Sequence, residues 1–266
     1  MFDSIAGDYD ALNHILSLDV DKIWRRRALK RIVDAPAPVR VLDLACGTGD
    51  FSIAIAKALS RSHKRVGTPI EAHVKAPAKV PVEAQVTSTG FVTGDSGRSD
   101  LMTKGHVTGV DLSEGMLAVM REKVAKAGLT EMISIEEGDG ENLRFPDNTF
   151  DRVTIAFGIR NFENREKGLR EMLRVLKPGG RLVILELSRP ENKVIRWFYD
   201  LYFLHILPKI GGKVSGDKAA YAYLPASVAA FPGKKAFMAT MREAGFRTVT
   251  HKAFTLGICR MYTGEK

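Results

Sequence analysis

The feature that most constrains the fold of this chain is a strand, a glycine turn and a helix in immediate succession. Residues 39–44 (Val-Arg-Val-Leu-Asp-Leu) form an apolar run of strand length, and Gly47 and Gly49 follow it. Residues 51–59 (Phe-Ser-Ile-Ala-Ile-Ala-Lys-Ala-Leu) then carry a helical pattern. A short strand that passes through a glycine turn into a helix is typical of the first unit of an open α/β sheet.

The same alternation returns along the rest of the chain. A strand over 107–111 precedes a helix for which Ser113 is a natural N-cap, and apolar residues recur there at helical spacing at Met116, Leu117, Met120 and Val124. Further strands are predicted at 132–137, 150–157, 180–187, 246–254 and 257–262. A helix between the strands 150–157 and 180–187 presents Leu169, Met172, Leu173 and Leu176 on one face, and another helix runs over 234–244 and ends at Gly245. Strands alternating with helices predict a single α/β domain with a mostly parallel sheet covered on both faces.

Two segments depart from this alternation. Residues 60–105 are rich in Ser, Thr, Gly, Pro, Lys and Val and show no sustained helical period, so we expect a solvent-exposed, mobile insertion without an assigned function. Residues 194–207 are unusually aromatic, and Pro208 follows them. They predict a helix whose apolar surface must cover something.

The glycine turn predicts a ligand site, because ligands of open α/β sheets bind at the carboxyl ends of the strands. A dinucleotide site would carry a third glycine, but Ser52 stands there, and Asp50 would place a negative charge near the pyrophosphate. S-adenosylmethionine has no phosphate, and carboxylates at Asp43 and Asp50 attract its amino and sulfonium groups. The turn therefore favours S-adenosylmethionine as a methyl donor.

Acidic residues after the next two strands fit the same ligand. Asp111 ends the second strand, where a carboxylate can accept both hydrogen bonds of a ribose diol; the alternative is a turn acid in front of Ser113. Asp139 and Gly140 follow the third strand, where a side chain and a backbone N–H can read an adenine edge; the alternative is an ordinary turn.

Charge and composition limit the partners. The net charge of +9 suits nucleic acid or an anionic membrane, but the cations are spread, and the densest run, Trp24-Arg-Arg-Arg27, is interpreted as the solvated face of a helix. Neither the two cysteines nor the six histidines have metal-site spacing, so no metal is expected. No apolar stretch reaches the ~18 residues that span a bilayer, and no leader is seen, so we expect a cytoplasmic protein.

Motifs along nearly the whole chain carry a family resemblance. Leu42-Asp-Leu-Ala-Cys-Gly-Thr-Gly49, Gly109-Val-Asp111 and Glu137-Gly-Asp139 resemble class I methyltransferases. With the segments 2–13, 157–161, 223–227, 231–232 and 254–258, the chain resembles the ubiquinone/menaquinone biosynthesis C-methyltransferase family. The resemblance implies a Rossmann-like, mostly parallel seven-stranded sheet, with an N-terminal helical lid over 1–35 and a helical acceptor-side cap over 190–232.

The resemblance also implies a donor site and a reaction. Donor contacts are expected from Thr48, Asp111, Asp139, Gly140 and Ala156. At the position of Ala156, relatives often have serine. The implied reaction adds a methyl group to a ring carbon of a reduced polyprenylated quinone, most simply demethylmenaquinol to menaquinol. Such a carbon becomes nucleophilic only when an adjacent hydroxyl loses its proton, so the enzyme must favour a phenolate-like state and align the carbon with the methyl group.

Arg160 is the first candidate for stabilising the developing oxyanion, since the fourth strand should deliver residues 158–161 beside the transferred methyl group. An arginine is not a base at neutral pH, so it would orient a water or lower the acceptor's pKa, with Asn161 as a positioning partner. Tyr9 and Asn13 are further candidates on the N-terminal segment. The alternatives are an exposed loop cation for Arg160 and packing for Tyr9.

Other hypotheses remain open at this stage. A ubiquinone precursor (2-polyprenyl-6-methoxy-1,4-benzoquinol) or another small aromatic is an alternative acceptor, and a non-catalytic, basic nucleic-acid-binding protein is a different class. The aromatic segment 194–207 either shelters the ring and prenyl tail or is a buried cap helix, and a prenylated substrate suggests peripheral membrane association. Relatives usually have a longer N-terminal lead, a short connection in place of 60–105, and often alanine at Gly140, so Met1 is a candidate for a misassigned start.

Overall fold

The fold is built on one seven-stranded sheet. The computed structural model describes residues 19–34, 38–66, 105–202 and 218–266. The strands of the sheet are β1 (Arg40–Leu44), β2 (His106–Asp111), β3 (Ile133–Glu137), β4 (Phe150–Ala156), β5 (Leu176–Leu187), β6 (Arg247–Phe254) and β7 (Cys259–Glu265). Their order is β3-β2-β1-β4-β5-β7-β6, and only β7 is antiparallel to its neighbours β5 and β6.

The strand order reverses between β1 and β4. The chain runs outward from β1 through β2 to β3 and then crosses back, so that β4 pairs with the other side of β1 in parallel register, Leu44 beside Ile155. The chain after β1 and the chain after β4 therefore lead to helices on opposite faces of the sheet, the arrangement that places the ligand crevice of an open α/β sheet at the carboxyl ends of these strands.

Helices cover both faces of the sheet, as the sequence predicts. The helices are α1 (Val20–Ile32), α2 (Asp50–Val66), α3 (Glu114–Lys126), α4 (Arg165–Val175), α5 (Lys193–Leu201), α6 (Lys218–Ala230) and α7 (Lys234–Glu243), with 3₁₀ turns at Ile159–Asn161 and Thr255–Gly257. Helices α1, α2 and α3 pack with Val41 and Val183 on one face, and α4 and α7 pack with Leu42 and Ile184 on the other. Successive strand residues point to opposite faces, which divides the apolar residues into two cores.

The predicted fold class is confirmed, but two boundaries differ. Leu176, assigned to a helix face, is the first residue of β5 and is buried there, because its backbone turns extended directly after Val175. Helix α2 continues to Val66, into the span predicted as an insertion; its last turns are polar and leave no apolar period to detect. The rest of the predicted insertion, 67–104, lies outside the described residues.

The aromatic segment begins as the predicted helix, but it is not a buried one. Asn192 caps α5 by accepting hydrogen bonds from the backbone N–H groups of Val194 and Ile195, and Tyr199 is the buried residue of the helix. Residues 203–217 lie outside the described ranges. Over the described part of the chain, no helix is long and apolar enough to cross a membrane.

Candidate active site

The loop after β1 makes a tight turn at the crevice. Ala45, Gly47 and Gly49 have positive φ angles of 48°, 56° and 84°. The N–H of Cys46 donates to the carbonyl of Val110 at 3.1 Å, which fixes the turn against β2. A non-glycine residue in this region costs on the order of 1 kcal/mol, so Ala45 stores strain at the predicted ligand site.

The turn is packed from below by Met120, which is fully buried on α3. A Cβ at Gly49 would overlap the Met120 side chain, and a Cβ at Gly109 would lie 2.7 Å from Met120 Cε. The two glycines therefore allow the turn and β2 to approach the helix, in addition to the φ angle that Gly49 requires.

We expect Gly49→Ala to lower the free energy of unfolding by about 2–4 kcal/mol, because it combines a positive φ with overlap in the core. Denaturant unfolding measures the loss. Two variants serve as controls. Gly128→Ala has the positive φ, but its Cβ would meet no atom within 4 Å, and Gly233→Ala has neither a positive φ nor a neighbour within 4 Å. A loss at Gly49 no larger than at Gly128 would contradict the role of Met120.

Asp111 joins the turn to the start of α3. Its Oδ2 accepts a hydrogen bond from the N–H of Gly47 at 2.8 Å, and its Oδ1 accepts one from the N–H of Ser113 at 2.9 Å. Ser113 caps α3 as predicted, accepting from the N–H of Met116 at 3.2 Å. Asp111 is thus a turn acid. An ionised carboxylate has about four lone-pair sites and can accept more than two hydrogen bonds.

Asp43 lies at the turn, as predicted, but it is buried. The side chain is 1% exposed beneath the turn, and Ser52 Oγ donates to Asp43 Oδ2 at 2.6 Å. Burial raises its pKa from 3.8 to about 7, while the Ser52 hydrogen bond and the charge of Arg25 oppose the rise. Asp43 supports the turn through α2, and a direct contact with a ligand is not what this geometry favours.

The raised pKa of Asp43 predicts a pH-dependent stability. Between pH 3.8 and about 7, the Asp43 carboxyl is protonated in the folded state and ionised in the unfolded state. The folded state therefore binds one more proton, and the free energy of unfolding falls as pH rises through that window. The non-ionising variant Asp43→Asn should lack this fall, so its stability relative to wild type should rise by up to about 4 kcal/mol across the window. Urea unfolding at both ends, with the exposed Glu136→Gln as control, measures it; a constant difference would refute it.

Asp50 is paired with cations from two helices. Lys123 on α3 bonds to one oxygen of Asp50, and Arg25 Nη1 on α1 lies 3.4 Å from the other. Lys123 Nζ also donates to Thr48 Oγ1 at 3.3 Å. The charge of Asp50 is therefore used inside the protein, which argues against the sequence interpretation that it attracts the sulfonium.

Asp139 and Gly140 form a turn after β3. Asp139 Oδ1 accepts from the N–H of Glu141 at 2.8 Å, and the N–H of Gly138 donates to the carbonyl of Asp111 at 3.0 Å. A Cβ at Gly140 would lie 2.6 Å from Phe162 Cζ. An alanine at this position would therefore require Phe162 to move, which gives the glycine of this chain a packing reason.

The loop after β4 meets the turn from the other side of the crevice. Ala156 is half-buried, and Phe157 has a φ of 64°. A Cβ at Gly158 would overlap the Cβ of Ala45, so the loops after β1 and β4 are in direct contact. Ala45 and Phe157, each the first residue after its strand, thus have strained backbones at the point where the strand order reverses.

Helix α1 covers this end of the sheet. The ring of Trp24 lies 6.1 Å from that of Phe157, and its Nε1 donates to Thr255 Oγ1 at 2.9 Å. The guanidinium of Arg25 lies 5.7 Å from the Phe157 ring centroid, and that of Arg27 lies 5.2 Å from the Phe254 ring centroid. In the basic run interpreted as a solvated helix face, Arg26 and Arg27 are exposed as expected, whereas Trp24 is buried and Arg25 is half-buried. Of the predicted lid over 1–35, residues 1–18, with Tyr9 and Asn13, lie outside the described ranges.

Arg160 is a buried cation, not an exposed loop residue. Its side chain is 7% exposed, and Nη1 pairs with Glu186 Oε1 at 3.0 Å, where Glu186 is fully buried on β5. Nη1 also donates to the carbonyl of Phe157, and Nε donates to Ser227 Oγ on α6 at 3.3 Å. The backbone N–H of Arg160 donates to Glu186 Oε2 at 3.1 Å. These contacts suit a positioning role better than direct contact with an oxyanion.

Asn161 is held by a second link to α6. The hydroxyl of Tyr223 donates to Asn161 Oδ1 at 2.9 Å. Tyr223 and Ser227 are four residues apart on one helix and therefore share a face, so α6 is fastened to Arg160 and Asn161 at two points. The predicted site residues do not include Tyr223, Ser227 or Glu186. Tyr223 and Ser227 are nevertheless the first and last residues of a motif that carries the family resemblance.

Known proteins resemble this chain at two levels. A model of the ubiE/COQ5 methyltransferase family matches residues 1–266. The chain is 43% identical, over its whole length and 87% of the relative, to the ubiquinone/menaquinone biosynthesis C-methyltransferase UbiE of Geobacter sulfurreducens. It is 39% identical, over its whole length and 91% of the relative, to the demethylmenaquinone methyltransferase of Bacteroides fragilis. The solved structure of a SAM-dependent methyltransferase from Thermotoga maritima, at 17% identity and a TM-score of 0.57 over all of this chain and 98% of that one, shares the fold.

Proposed function

The chain belongs to the ubiE/COQ5 methyltransferase family, and from that premise we propose that it methylates a ring carbon of demethylmenaquinol, with S-adenosylmethionine as donor, to give menaquinol. That the chain is an S-adenosylmethionine-dependent methyltransferase follows from the family itself. The observation that carries the finer proposal is the full-length match to relatives named demethylmenaquinone methyltransferase. The match also argues against a non-catalytic nucleic-acid-binding protein.

The crevice between β1 and β4 suits the donor. We assign the ribose diol to Asp111, whose two oxygens already face the turn and α3. Asp139 and Gly140, next in the sheet, take the adenine edge, and Gly47, Thr48 and Gly49 take the amino-acid end. When bound, the donor supplies an electrophilic methyl group on a positively charged sulfur, and Ala156 at the end of β4 lines its approach.

The acceptor side lies where β4, β5 and α6 meet. Arg160, locked to Glu186 and Ser227, fixes the strained carbonyl of Phe157 and the backbone of Asn161. Asn161 and Tyr223 then present an amide and a phenol that position the hydroquinone hydroxyl next to the reacting carbon. The hydroxyl loses its proton as the ring carbon takes the methyl group, and the S–CH3 bond breaks to leave S-adenosylhomocysteine. The ring C–H proton then leaves to restore the aromatic ring, and the oxygen takes a proton back, so that one proton is released overall. Tyr9 stays a prediction for this side.

The arrangement of the chain around this site completes the proposal. We propose one methyltransferase domain over 1–266, in which residues 1–35 act as the lid, and α5 and α6 belong to an acceptor-side cap over 190–232. Because a polyprenyl chain partitions into a bilayer, the protein should meet its substrate as a peripheral protein at the inner face of the membrane.

A second acceptor has a specific observation in its favour. The name of the Geobacter relative includes both ubiquinone and menaquinone biosynthesis, so the ubiquinone precursor 2-polyprenyl-6-methoxy-1,4-benzoquinol is the second candidate.

A methyl-transfer assay with radiolabelled donor tests the proposal. Both reduced quinone classes are offered separately and the products are identified by mass spectrometry. Label in menaquinol supports the proposal, label only in the methylated benzoquinol transfers it to the second candidate, and label in neither overturns both.

A further inference from the structure

Helix α5 exposes a continuous apolar stripe. Val194, Trp197, Phe198 and Leu201 are 65%, 61%, 60% and 38% exposed. They are spaced by three, one and three residues, which places them on one face of the helix. Isolated exposed apolar residues are ordinary on protein surfaces, but four neighbours on one helix face form a patch.

The opposite face of α5 is anchored in the protein. Tyr199 is buried in a small core with Val228 of α6, which Leu224 and Tyr202 complete. Arg196 Nε donates to the carbonyl of Pro190 at 2.8 Å, which ties the helix to the segment before it. On the exposed face, the rings of Trp197 and Phe198 pack edge to face with their centroids 4.8 Å apart. The stripe is therefore presented outward by a fixed helix.

We propose that this stripe is the surface by which the protein docks on a bilayer with anionic headgroups. Its apolar side chains include an indole, which favours the boundary between headgroups and acyl chains, and the exposed Lys193 stands beside it at the start of the helix. Arg189 is also exposed, but it pairs with Asp200 of α5. The chain carries a net charge of +9. An anionic bilayer complements that charge, whereas a second copy of the chain repeats it.

The position of the stripe links docking to the acceptor side, and this step rests on the proposed function. Helix α5 follows β5, which carries Glu186, and packs on α6, which bonds Asn161 through Tyr223. A bilayer held at the stripe therefore lies on the cap side of the site. A prenyl tail can then remain in the acyl chains while the ring enters the site.

The chain contains its own probe for this surface. It has two tryptophans, Trp24, which is 4% exposed, and Trp197, so Trp24→Phe leaves Trp197 as the only indole. With vesicles of phosphatidylcholine and phosphatidylglycerol that contain no quinone, we expect a blue shift of Trp197 emission and quenching by brominated acyl chains. Pure phosphatidylcholine vesicles should bind more weakly, and added salt should reduce the difference.

Matched variants locate the surface. Trp197→Ser/Phe198→Ser should weaken vesicle co-sedimentation at least about tenfold, and Ile23→Ser, which removes a half-exposed apolar residue on α1, should leave it unchanged. Unchanged thermal unfolding of both variants shows that they are folded. Absence of a shift in the single-tryptophan protein, or equal losses in both variants, overturns the proposal. So does a shift that depends on protein concentration without vesicles, which would assign the stripe to a second copy.

Turnover separates this inference from the proposed function. The readout is the ratio of transfer to a long-chain acceptor in vesicles to transfer to a water-soluble acceptor with a truncated tail. This ratio should be lower in Trp197→Ser/Phe198→Ser than in wild type, and an equal ratio overturns the docking surface. If wild type methylates neither acceptor, the proposed function fails while the vesicle measurement still decides the docking surface.

Discussion

Asp111→Asn is expected to raise the Kd for S-adenosylmethionine by about 10–100-fold, because the site loses a charged acceptor for the ribose diol. The loss has a second component within the protein. Asp111 accepts from the N–H groups of both Gly47 and Ser113, and an asparagine would turn its NH₂ group towards one of these two donors. The turn and the start of α3 would then no longer be held together.

Isothermal titration of each variant with S-adenosylmethionine measures the effect. The control is Glu137→Gln, since Glu137 is an exposed acid paired in register with Asp111 on the neighbouring strand. We expect its Kd to stay within about twofold of wild type, as for other exposed charges. Equal affinities for Asp111→Asn and wild type would remove the ribose assignment, whatever the family of the chain.

Local patterns in the sequence were sufficient for the scaffold of the proposed donor site. The glycines of the turn, the apolar strands and the N-cap at Ser113 are each encoded within a few residues, and the structure places them as predicted. Asp111 could be placed at the carboxyl end of β2 because an apolar strand precedes it and the N-cap Ser113 follows it. Asp43 was harder, because a strand covered on both faces gives no alternation to show where its side chain points.

The proposed acceptor side depends on contacts between distant residues, which a local pattern does not encode. Arg160 and Glu186 meet because β4 and β5 pair in parallel, and the motif containing Arg160 carries no sign of that partner. Two signals were nevertheless present. Glu186 is a lone acid in the apolar strand β5, which predicts a buried partner, and Tyr223 and Ser227 have helical spacing that Pro225 concealed.

Breaking the buried pair is expected to have the largest effect on stability. Arg160→Met should lower the free energy of unfolding by about 3–5 kcal/mol, because it leaves the fully buried carboxylate of Glu186 without its cation. The double variant Arg160→Met/Glu186→Leu removes both charges and should recover stability to within about 2 kcal/mol of wild type. Denaturant unfolding of wild type, both single variants and the double variant measures the coupling between them.

Activity of the double variant distinguishes a structural pair from a positioning one. Without the guanidinium, the Phe157 carbonyl loses its side-chain donor and Ser227 no longer links α6 to Arg160. We therefore expect kcat to stay about 100-fold or more below wild type even where stability returns. Donor affinity should change little, since Asp111 is untouched. The exposed pair Arg170 and Glu166 supplies the control, where Arg170→Met should cost less than about 1 kcal/mol. A double variant with wild-type turnover would reduce Arg160 to a part of the scaffold and leave Asn161 and Tyr223 to orient the acceptor alone.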